Sequence, residues 1–154
     1  MSLFLHDPAE LSWRDDSQLP GDGQRLVLVL VDRFDLRAVR ALEYAWQIPS
    51  HERRALHVAV NEVDLERLAD DWMAHRPGVP LHVIENDGGV AATVRTAVEL
   101  EMGSGYDEVV VVIGRVAFRH WPQRLLHDRT SNAIARALSR CPSTFTAVMT
   151  VASF

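Results

Sequence analysis

Arginine dominates the chemistry this sequence offers. All sixteen basic positions are arginine and none is lysine. Six of them (Arg115, Arg119, Arg124, Arg129, Arg136 and Arg140) fall between Gly114 and Arg140 against a single acid, Asp128, in a chain whose formal net charge is −5. A guanidinium fork suits bidentate contact with phosphate or carboxylate, so this stretch can hold an anion if its side chains converge. As separate surface residues they form a solvated face instead, with ion pairs worth about 0 to 1 kcal/mol each. Sequence leaves both readings open.

Other reactive types do not assemble. The seven histidines include no HExxH and no Cys/His pair at ligand spacing, so no metal site is expected. His120 and His127 stand two helical turns apart only if their segment is helical. Ser104, between Gly103 and Gly105, follows a helical pattern rather than a strand and lacks the G-x-S-x-G order of a nucleophile elbow. Gly88-Gly89 reads as a turn, not a dinucleotide fingerprint. The lone cysteine, Cys141, sits before Pro142 at the end of a helical pattern and reads as core filler. No catalytic constellation emerges, and the chain is not expected to be an enzyme.

Length and composition place these residues in one domain. With 154 residues, 47% hydrophobic and 24% charged, the chain suits a single core burying roughly two-thirds of its unfolded surface. Apolar runs such as Leu26 to Val31 are too short to cross a bilayer. Met1 to Leu5 is apolar but followed at once by His6 and Asp7, unlike a secretion signal, so a cytoplasmic location is the expectation. The negative net charge weighs against nucleic acid as a partner.

Residues 1–24, with Pro8, Pro20, Gly21 and Gly23, show no period and read as a tail or linker; Trp13 has no assigned place. From 25 to 154 strand and helix signals alternate. Strands are expected at Arg25 to Val31, Arg54 to Val60, Leu81 to Ile84, Glu108 to Ile113 and Thr144 to Val151. Helices are expected at Asp35 to Gln47, with Asp35 as N-cap, then Glu62 to His75, Gly89 to Met102 and Ser131 to Arg140. The pattern loosens between Arg115 and Asp128. Strands separated by helices must pair in parallel with right-handed crossovers, predicting an α/β three-layer α/β/α sandwich on a five-stranded parallel sheet. Ligands in such sheets bind beyond the strands' carboxyl ends where the strand order reverses, which points to the loops after Val31 and Ile113.

This element order, with Val31-Asp32 after the first strand, Leu56-His57-Val58 in the second and Val110 to Gly114 in the fourth, resembles the universal stress protein family over about Arg25 to Val151. Nucleotide-binding members carry G-x2-G-x9-G-[ST] after the fourth strand. Aligned on Gly114, those positions hold Gly114, Ala117, His127 and Asp128, and only the first matches. The segment Arg119 to Thr130 is similar to a stretch in the cytoplasmic C-terminal domain of bacterial APC-type amino-acid permeases, which implies that the tail is a linker from a membrane portion.

The resemblance implies a degenerate nucleotide site made of Asp32, Gly114, Arg115, Ala117, His127 and Asp128. Asp32 would touch the nucleoside, or simply start a turn. Asp128 at the start of the last helix would cap it and repel a phosphate by about 4 kcal/mol at an effective dielectric of about 20. The expected function is therefore a non-enzymatic regulatory and dimerisation module without cofactor, associated with a membrane transporter. It would form a homodimer through Thr144 to Val151, where an edge strand invites pairing. The alternative is a sensor of a nucleotide, ATP or AMP, or of another small anion.

Overall fold

Valine and isoleucine lose rotamer freedom in helices but pack well on a pleated surface, and the runs rich in them form the strands. The computed structural model describes residues 23–117 and 121–152, with Val116, Ala117, residues 121–128 and Ala152 described by backbone course only. The chain runs β1 (Arg25–Leu30), α1 (Leu36–Gln47), β2 (Glu52–Ala59), α2 (Glu62–His75), β3 (Leu81–Glu85), α3 (Val90–Gly103), β4 (Glu108–Ala117), α4 (Trp121–Leu138) and β5 (Thr144–Ala152). Most of the expected tail, Trp13 included, lies outside the described residues, as do Arg119 and His120.

Every neighbouring strand pair is parallel, in the order β3-β2-β1-β4-β5. One sheet face packs on α1 and α2 through Ala38, Ala41, Leu42, Leu68 and Trp72. The other packs on α3 and α4 through Val94, Val98, Ile134 and Leu138. Each large aliphatic side chain so buried contributes about 1.5 to 3 kcal/mol of transfer free energy. The α/β three-layer sandwich with a five-stranded parallel sheet is therefore the fold adopted.

Local chemistry fixes the helix ends that border the sheet's carboxyl edge. Asp35 caps α1 as expected, its side chain accepting from the Arg37 and Ala38 amides at 2.9 and 3.2 Å. Asn61 does the same for α2, accepting from Asp64 N–H at 2.8 Å. The chain enters α3 through Gly89 at φ 103°, a left-handed conformation that glycine tolerates. Thr93 Oγ1 closes that loop, accepting from Asp87 N–H and donating to Gly89 O, both at 2.9 Å.

Two boundaries differ from expectation by more than two residues. β4 passes Ile113 and continues to Ala117, because β5 is long enough to pair it from Val109↔Thr144 to Ala117↔Ala152. α4 begins at Trp121 rather than Ser131. Pro122, which reads as a breaker, falls in the first turn, where a missing amide hydrogen leaves no helical bond unmade. Asp128 consequently lies inside α4 and does not stand at a helix start.

Candidate functional site

β1 connects to β2 on one side of the sheet while its other neighbour is β4, so the strand order reverses between β1 and β4. A crevice must open there, since the loops leave in opposite directions. It is a cavity of about 480 Å³ lined by the loop after β1, the ends of β2 and β4, and α2, α3 and α4. Both loops singled out from sequence border it, through Val31 and Asp32 and through Ile113 and Gly114.

Apolar side chains form its floor, Leu56, Val58, Val94, Ile113 and Ile134 among them. The rim is charged and balanced: Asp32, Asp64 and Asp71 against Arg33, Arg37 and Arg67. Asp32 is 68% exposed and pairs with Arg37 at 3.5 Å and Arg33 at 3.9 Å. Arg37 also binds Asp35 through Nε at 2.8 Å and Nη2 at 2.6 Å. Burial works against the Arg37 charge, but the Asp35 hydrogen bond and the Asp32 charge outweigh it and raise its pKa above that of an ordinary arginine. Arg67 is exposed and has no ion-pair or hydrogen-bond partner among the described residues. Thr130 and Ser131 add hydroxyls from α4.

His57 is the buried polar residue of this region, 5% exposed. Its Nδ1 lies 2.8 Å from Val31 O, and because a carbonyl only accepts, Nδ1 carries the proton. In the neutral ring Nε2 is then an acceptor, buried and without a partner among the described residues. An unmet buried acceptor costs about 1 to 3 kcal/mol.

The residues expected to form the site are only partly brought together. Asp32 and Gly114 share the cavity. A Cβ on Gly114 would stand 2.7 Å from Arg37 O, so this glycine is required by the approach of α1 to β4. Arg115, half-buried in β4, faces Thr150 in the β4–β5 register. Ala117 ends β4, and its side chain lies outside the described residues, as do those of His127 and Asp128. Within α4 the amides of His127 and Asp128 belong to the helical ladder, so the account in which Asp128 caps a helix start in place of a phosphate loses its structural basis. Sequence reasoning overlooked His57, Arg37 and Arg67 as cavity residues. A histidine inside an otherwise apolar strand was the available signal; Arg67 had none, because only packing brings α2 to the rim.

No curated protein matched the chain. A family model did, that of the KimA potassium transporter C-terminal domain, over residues 23–151. The match covers all four helices and all five strands but for the last residue of β5, and it names a potassium transporter where the Arg119 to Thr130 segment had suggested an amino-acid permease. The chain belongs to the family of KimA potassium transporter C-terminal domains.

Proposed function

We propose that this chain is a non-enzymatic regulatory module of a potassium transporter, placed on the cytoplasmic side and acting as a dimer, with a universal stress protein-like fold. Family membership supports the transporter link. No described helix is long and apolar enough to cross a membrane, which suits a module beside the membrane part. The observation that carries the dimer is the edge of β5, unpaired among the described residues and nine residues long without a charge, on which Phe145 and Val148 remain exposed. An unpaired, uncharged edge recruits another strand, and a twofold axis there would join two sheets.

Light scattering should give a dimer mass for the chain and a monomer mass for Phe145→Asp with Val148→Asp. Potassium uptake by the transporter carrying that double change should lose its regulation; a wild-type monomer at high concentration would sink the reading.

A second reading, a nucleotide or small-anion sensor, is favoured by the cavity itself. Its volume is within the usual range for small-molecule sites, and it borders the His57 acceptor and Arg67, both without a partner among the described residues. Calorimetry with ATP and AMP tests it: saturable heat lost in Arg67→Ala supports it, and no heat removes both ligands.

A further inference from the structure

All strands of a parallel sheet begin at one end, and the helices between them finish there. Three arginines stand at that end, on both faces of the sheet: Arg76, which caps α2, Arg136 in the last turn of α4, and Arg140 just beyond it. Arg76, Arg136 and Arg140 are all exposed, and none pairs with a carboxylate among the described residues. Three acids at this end are paired with arginine, and a fourth, Asp107, keeps its charge while accepting a backbone amide. Glu101 binds Arg54 at 2.6 Å, Glu52 binds Arg54 as well, Glu108 binds Arg25 at 2.5 Å, and Asp107 accepts from the Gln24 amide at 2.8 Å. The opposite end sets Asp32, Asp64, Glu85 and Asp87 against Arg33, Arg37 and Arg67, a mixture of both signs. Among the described residues the sheet's amino end thus presents three guanidinium groups without a carboxylate partner, where the carboxyl end presents a mixed rim.

We propose that the amino end rests on anionic phospholipid headgroups of the membrane holding the attached transporter, through Arg76, Arg136 and Arg140. The proposal rests on the family reading, and two features favour lipid as the occupant. The chain enters the sheet at Arg25, the first residue of β1, at this same end, and in a C-terminal domain the membrane part precedes it. Guanidinium groups also complement an anionic headgroup layer, which attracts each basic residue near the surface with about 1 kcal/mol. Tethering to the transporter turns so modest an attraction into an intramolecular one. Arginines at helix C-termini also complement the helix dipole, a role that would appear as a change in melting temperature rather than in lipid binding.

The test is co-sedimentation of the full chain with vesicles of phosphatidylglycerol in phosphatidylcholine, against phosphatidylcholine alone. Binding to the anionic vesicles should weaken about fivefold for each of Arg76→Gln, Arg136→Gln and Arg140→Gln, and fall steeply with salt. Arg40→Gln, on the exposed flank of α1, should leave it unchanged while removing the same charge. Equal binding to both vesicle types, or a triple variant that still binds, would overturn the proposal. So would salt-sensitive capture by detergent-purified transporter lacking this domain when vesicles are ignored, since that assigns the arginines to a protein face. The assay contains no transporter, so its failure leaves the regulatory reading standing. Unchanged potassium uptake after deletion of the domain would remove that reading and leave the vesicle result intact.

Discussion

β3 closes the sheet on one side with five residues, of which His82, Val83 and Glu85 are exposed. β5 closes it on the other with nine, none charged, and shows Phe145 at 58% and Val148 at 42% exposure. Short length and a charge on the edge discourage pairing with a further strand; length and apolar side chains invite it. The two halves are also braced differently. On the β3 side Arg54 ties β2 to α3 through Glu101 and reaches Tyr106 at 3.0 Å, with Glu52 closing the network. On the β5 side α1 presses on β4 at Gly114. A single sheet can therefore be guarded at one margin and left open at the other.

Charging the open margin should break this contrast most strongly. Phe145→Asp with Val148→Asp is expected to weaken self-association by on the order of a hundredfold in sedimentation equilibrium, with little change in melting temperature because both side chains are exposed. Next in size, Gly114→Ala should destabilise the fold by about 1 to 3 kcal/mol, lowering the melting temperature by about 2 to 4 °C per kcal/mol. If it melts like the wild type, α1 and β4 are not in close contact there.

Acid should separate the two halves. The Arg54 hydrogen bond, with that of Tyr106, holds the Glu52 carboxyl below its ordinary value. The folded pKa is thus lower than the unfolded one, so the stabilisation is complete above the ordinary glutamate range and lost as pH falls through the folded value. Arg54→Met should flatten that acid limb in melting temperature against pH; an unchanged slope would remove the network from the bracing of this half. The smallest effect is expected at the guarded margin. Replacing His82 and Glu85 by threonine should shift stability by less than about 0.5 kcal/mol, yet produce higher-order association by light scattering. A variant that stays as the wild type would show that length alone protects β3.

Much of this arrangement was readable from residue order. Asp35 before an amphipathic run announced the start of α1, and the bounds of α2 matched because polar and turn residues mark both its ends. β4 and α4 were misjudged at their facing ends for a shared reason. The extra length of β4 comes from its partner β5, which no local pattern reports, and the tryptophan-proline step opening α4 resembles a loop until the helix behind it is seen. For the cavity, the reversal of strand order gave the place. Its rim depends on how α2 lies across the β1 loop, and the fingerprint alignment drew attention to His127 and Asp128, which belong to a helix that starts earlier than expected.

The seat of Gly114 against the Arg37 carbonyl leaves no compressible layer between the first turn of α1 and β4. Arg37 is also tied to Asp32 on the cavity rim, and β4 carries β5 on its far side through nine register pairs. A shift of that turn would therefore bear on the rim through Arg37 and on the outermost strand through β4.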